Sequence, residues 1–217
     1  MGHDFSSPES ARHMRRKLFA SSAMLLGTIG FAPERLSDNG ARAISIVTRI
    51  AASVLAGILA LDEKKNYYPV ATLVRQLVEI EYLLYAFSHG HRLTDDWIGS
   101  DPDKRLKIFQ PRHLYDLEGS PFRKQDYKLH CEHGGHPTPD GIWLTNLSDE
   151  DAEKLLCEAL SHSKHILICL EKWLVSQGRE GNSEELVLWD NIRESFAAWS
   201  DHDPIFQSLL PNPGRHH

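Results

Sequence analysis

The stretch NYYPVATLVRQLVEIEYLLYAFSHGH, residues 66–91, decides the fold. Leu73, Leu77, Ile80 and Leu84 recur at three- and four-residue spacing, and after Pro69 no helix breaker intervenes before Gly90. The stretch therefore predicts a long helix with Pro69 near its first turn. At about 100° per residue, Arg75, Glu79, Tyr82 and His89 fall on one stripe almost opposite the Leu73/Ile80/Leu84 face. Two readings of that stripe stand side by side. One is an exposed Arg75/Glu79 pair four residues apart, contributing about 0.3 kcal/mol. The other is a polar site.

Upstream, residues 41–61 predict a buried helix with Val47, Ile50, Ala51, Val54, Leu55 and Ile58 as its core face. The run is nearly long enough to cross a bilayer, but Arg49 interrupts it, so a bundle helix with no membrane partner is expected. The short polar link 62–66 makes the helices over 41–61 and 68–88 an antiparallel central pair. A first helix is expected over 10–26, closed by a break at 27–33. Arg15, Arg16 and Lys17 before the apolar run 18–32 imitate a signal peptide, although the run is too short to span and is diluted by Ser21, Ser22 and Thr28.

Downstream, a short helix is expected around 101–109, irregular chain over 111–119, and a helix from 121 to about 132 stopped by Gly134 and Gly135. Ser148, followed by Asp149, Glu150 and Asp151, predicts the start of the longest helix, with Leu156, Leu160, Leu167, Leu170 and Leu174 on its core face. A last helix over 183–199 carries Leu186, Trp189, Ile192 and Phe196. No strand-period alternation recurs. The reading is an all-α bundle of five to seven helices: a loose N-terminus over 1–9, one helical domain over 10–205 and a tail over 206–217.

The 217 residues carry 24 basic and 30 acidic side chains, a net charge of −6, which argues against a protein that coats nucleic acid with its whole surface. The cationic part is the middle, where residues 104–130 hold seven Lys/Arg against three Asp/Glu. Three cysteines with no CxxC spacing suggest neither a disulfide framework nor a cysteine zinc site, so reduced cytoplasmic thiols are expected.

A second candidate site lies in FRKQDYKLHCEHGGHPTP, residues 122–139. Arg123, Tyr127 and His130 share a helical face, and the glycine turn delivers His136 beyond the helix end. A guanidinium can clamp a phosphate, and an imidazole can move a proton without a metal. His130, Cys131, His133 and His136, with His162 and His165 one turn apart elsewhere, also raise a metal reading. The paired Glu-x-x-His motifs of a di-iron bundle are absent, however, and no metal or other cofactor is expected. The two candidate sites are expected to meet. Arg75 and Glu79 lie on a strongly apolar helix and need polar company, which the segment 127–136 would supply, bringing the pair within hydrogen-bonding reach of His130 or His136 directly or through one residue.

The helical layout, the arginine and histidine separated by six residues in Arg123-KQDYKL-His130, and the Arg75-QLV-Glu79 helix resemble the HEPN-like superfamily and related abortive-infection helical proteins. The resemblance covers about the middle half of the chain. It implies metal-independent RNA cleavage in a composite site across a homodimer, with Arg123 binding phosphate and His130 acting as acid or base. Lys124 stands where such proteins often carry Asn, Asp or His. The resemblance thus implies a ribonuclease toxin of a phage-defence or toxin–antitoxin system, and the alternative is a non-catalytic helical interaction or regulatory module, immunity- or antitoxin-like. It would recognise a protein partner encoded nearby through the Arg75/Glu79 stripe and the His136 turn.

Overall fold

The computed structural model describes residues 4–32, 38–117, 124–135, 137–179 and 183–210, and among the described residues the fold is all helical with no strand. The long helices among the described residues are α1 (Pro8–Phe31), α2 (Asn39–Asp62), α3 (Tyr67–Ser88), α8 (Asp149–Ser176) and α9 (Ser183–His202). Shorter helices lie between and after them: α4 (Thr94–Ile98), α5 (Pro102–Ile108), α6 (Pro111–Leu114), α7 (Lys124–His130) and α10 (Pro204–Leu209).

Helix starts follow capping chemistry. Ser7, Asp38, Asp101, Ser148 and Asp203 each accept a backbone N–H of the first turn they precede, satisfying donors that have no intrahelical partner. α1 runs through the glycines at which a break was expected. Ser45 on α2 donates its hydroxyl to the Gly30 carbonyl at 2.5 Å, and a Cβ at Gly30 would come within 2.8 Å of Thr48 Oγ1. The missing side chain therefore lets two helices cross closely instead of ending one. α2 and α3 are joined by a tight turn in which Lys65 takes the left-handed conformation (φ 52°), so the two run antiparallel as expected.

The centre of the molecule differs from the expected α2/α3 pair. α3 packs most extensively on α8, and α2 most extensively on α1. Val47, Ala51, Val54, Leu55 and Ile58 are buried, but Ile50 is 46% exposed and shares an outer face with Ile46. α2 is the one helix among the described residues long and apolar enough to cross a bilayer. Leu18, Phe19, Leu25, Leu26 and Ile29 of the apolar run on α1 lie in the main core, joined by Leu77, Leu84, Leu160, Leu170, Trp173, Trp189 and Trp199. Leu186, assigned above to the apolar side of α9, is exposed. The boundary expected at 205 falls inside α10, whose Phe206 ring packs against Trp199 at a tilt of 39° with centroids 4.2 Å apart. The N-terminal boundary at 9 likewise falls inside α1.

One ion-pair network borders this core, with Arg12 bridging Glu153 at 2.8 Å and Asp62 at 3.7 Å. Arg15, nearly enclosed, binds Glu153 Oε2 at 2.6 Å and Asp203 Oδ2 at 2.5 Å, tying α1 to α8 and to the start of α10. Arg16 binds the buried Asp62 at 2.6 Å, tying α1 to the end of α2. Burial opposes the charge on Arg15, but Cys157, Asp203 and Glu153 together raise its pKa.

Candidate functional site

The Arg75 stripe is covered by the excursion between α3 and α8. Arg75 Nη2 meets Glu79 Oε1 at 2.9 Å. Arg75 also donates to the Tyr127 hydroxyl at 3.2 Å, and that hydroxyl donates to Glu79 Oε1 at 3.0 Å. Tyr127 thus closes a ring over a pair that is only partly exposed, and its aromatic face lies 5.8 Å from the Arg75 guanidinium. Burial raises the Tyr127 pKa above its ordinary value, Glu79 adding and Arg75 opposing. Tyr82 lies beneath in a satellite core with Val78, Ala86 and Leu114. The reading of Arg75/Glu79 as a simple surface pair is therefore replaced. His89 leaves the stripe: as the cap residue of α3, its Nδ1 is 3.0 Å from the Tyr85 carbonyl, and its ring stacks on Tyr85.

The partner of the stripe is Tyr127, the first residue of the segment expected to supply it. α7 passes directly into a wider π-helical turn, Cys131–Gly135. His130, at the junction, turns the other way, towards α8. It is 8% exposed, with Nε2 3.5 Å from Glu158 Oε1 and its ring edge-on to His162 at 5.2 Å. Burial, with His162 and His133 nearby, pushes its pKa down to about 4, so the ring is neutral near pH 7. Arg123 and His136, the other two expected catalytic residues, lie outside the described residues.

Behind His130 sits a carboxylate that the periodicity did not single out. Glu81 is almost fully buried on α3 and takes both α8 histidines, with Oε2 2.6 Å from His162 Nδ1 and Oε1 2.8 Å from His165 Nδ1. Burial works against its charge, but the two imidazole bonds outweigh it and hold the carboxyl below its usual range. The signal was present in the sequence. Glu81 falls between Leu77 and Leu84 on a core face, where a carboxylate persists only with partners.

His130 and Glu158 border a pocket of about 500 Å³. Its apolar walls include Val74 of α3, Leu144 of the 3₁₀ segment Pro139–Asn146, Leu155 of α8 and Phe206 of α10. His133 and Trp143, edge-on at 5.4 Å, stand at its rim. Lys154 also lines the pocket, engaged by Glu150 at 2.8 Å and Asp151 at 3.2 Å. Polar and apolar walls together favour a ligand with an apolar body and one polar end. Comparison with known proteins finds no matching family model, no matching curated protein and no matching solved structure.

Proposed function

We propose that this chain is a HEPN-like helical protein that works by binding, a regulatory or interaction module holding a compact amphipathic ligand in the pocket beside His130. The observation that carries the reading is the pocket itself. At about 500 Å³ it has the size of a small-molecule site, with mostly apolar walls and a few convergent polar groups. The HEPN-like part rests on the helical architecture and on the Arg75/Glu79 stripe held by Tyr127 of the Arg123-to-His130 segment. A strand of RNA calls for a cationic groove with exposed stacking platforms, whereas Lys154 here is ion-paired and His130 is buried. The test uses anilinonaphthalene sulfonate, an apolar probe with an anionic head. Saturable one-to-one binding, weakened about tenfold or more by Ser161→Trp with the fold intact, is expected. Absent binding, or binding indifferent to the filled pocket, overturns the reading.

A metal-independent ribonuclease toxin is the second reading, favoured by the His130 imidazole and Glu158 carboxylate 3.5 Å apart at the pocket wall, the kinds of group that move protons without a metal. On that reading expression slows growth, the protein is a homodimer, and it cuts single-stranded RNA in EDTA. Arg123→Ala and His130→Ala then abolish cutting. An intact substrate after prolonged incubation removes this reading and leaves the binding one standing.

A further inference from the structure

We infer that His130, Glu158 and His162 form a site for one divalent transition-metal cation of the zinc class, opening onto the pocket. Glu158 and His162 stand four residues apart on α8 and so share a face, and the end of α7 brings His130 across to them. One donor atom from each of the three lies within 4.8 Å of the others, and His130 Nε2 is already 3.5 Å from Glu158 Oε1. Bonds of about 2.0–2.2 Å in a tetrahedral site put donors roughly 3.3–3.5 Å apart. Closing the set thus asks for a contraction of at most about 1.5 Å, to which Glu158, a flexible side chain that is 40% exposed, can contribute.

The second observation is Glu81. A ligating histidine characteristically gives its other ring N–H to a carboxylate, which fixes the tautomer and aims the remaining nitrogen. Glu81 makes that bond to His162 Nδ1 at 2.6 Å, so His162 would coordinate through Nε2. It is itself anchored by His165 at 2.8 Å. Two imidazoles and one carboxylate suit zinc, whereas magnesium and calcium favour all-oxygen sets. Three protein donors leave a fourth position for water or a ligand donor, and the pocket borders two of the three. The inference does not rest on an organic ligand occupying that pocket, because its test uses the cation alone.

The full chain, stripped with EDTA, is titrated with Co²⁺ and followed by its visible ligand-field bands, then back-titrated with Zn²⁺. One cobalt per chain with tetrahedral-type absorption, bleached by zinc, is expected. Glu158→Ala and His162→Ala should each weaken binding by more than about tenfold, and Glu81→Gln by about 10–100-fold. His202→Ala, which removes an exposed histidine outside the cluster, keeps the band. Far-UV circular dichroism checks the fold, and the half-exposed Glu158 is the decisive position because its loss opens no core cavity. An absent band overturns the inference. So does a band unchanged in both Glu158→Ala and His162→Ala, which assigns the metal to other histidines such as His89 and His91.

Discussion

At Tyr127 one hydroxyl serves two charges, accepting from Arg75 and donating to Glu79. Both partners are partly exposed, so solvent screens the cluster, and Tyr127→Phe should cost only about 1 kcal/mol at pH 7. The pH dependence has a fixed sign. Burial raises the folded phenol pKa above its unfolded value near 10, so this stabilisation is complete below pH 10 and is lost as the pH climbs through the folded pKa. Urea midpoints measured at pH 8 and above pH 10 should converge for wild type and Tyr127→Phe. A constant gap would mean the phenol titrates normally. The cysteines differ by burial in the same way. Burial pushes Cys157 up to about 12 and Cys169 up to about 11, whereas Cys131 is half-exposed. Iodoacetamide at pH 8 should therefore label Cys131 in the native protein and the other two only after unfolding. Arg75 and Glu79 were legible because a polar stripe on an apolar helix is visible in periodicity, and Tyr127 because it falls in the polar segment expected to cover that stripe. The roles of Glu81 and Glu158 were not, because which histidine meets which carboxylate is set by the docking of α3, α7 and α8.

The α1/α2 crossing shows how two glycines on one helix can carry opposite consequences. At Gly30 an added Cβ would lie 2.8 Å from Thr48 Oγ1, and that hydroxyl is buried and bonded to the Ile44 carbonyl at 2.9 Å. At Gly27 the nearest atom to an added Cβ is Ala52 Cβ at 4.0 Å, an ordinary contact. Gly27→Ala should thus stabilise by up to about 1 kcal/mol through helix propensity. Gly30→Ala should lose that gain to a crowding cost of about 1–3 kcal/mol and come out destabilised. Urea denaturation of the two variants checks the contrast, and equal shifts of either sign would sink it. Sequence periodicity and capping residues located α2, α3, α8 and α9 well. They misplaced the end of α1 because glycine marks both a helix end and a close crossing, and only the neighbouring helix distinguishes them. Ile50 failed for a related reason: an apolar stripe can be wider than the surface available to cover it.

The molecule has a large core on one side of α3 and a small satellite core on the other. The first joins α1, α2, α3, α8 and α9. The second is built from Val78, Tyr82 and Ala86 of α3 with Leu114 of α6, and Leu117 and Tyr127 pack at its edge. Leu77 is fully buried in the first and Leu114 nearly so in the second, which separates two kinds of failure. Leu77→Ala leaves a cavity where the long helices meet and should lower global stability by about 2–5 kcal/mol. Leu114→Ala instead loosens the cover over the Arg75 stripe. α6 and α7 are short and pack chiefly on α3 and on their neighbours in the chain, so they can open without the rest, as low-stability segments do in native-state exchange. Because α7 and the π-helical turn also carry His130 and His133 to the pocket, that opening should speed amide exchange over 111–117 and 124–135 and weaken probe binding, while the urea midpoint moves less than in Leu77→Ala. If Leu114→Ala lowers the midpoint as much as Leu77→Ala and accelerates exchange throughout α3 and α8, the excursion is part of the same cooperative unit. The pocket would then have no independent wall to move.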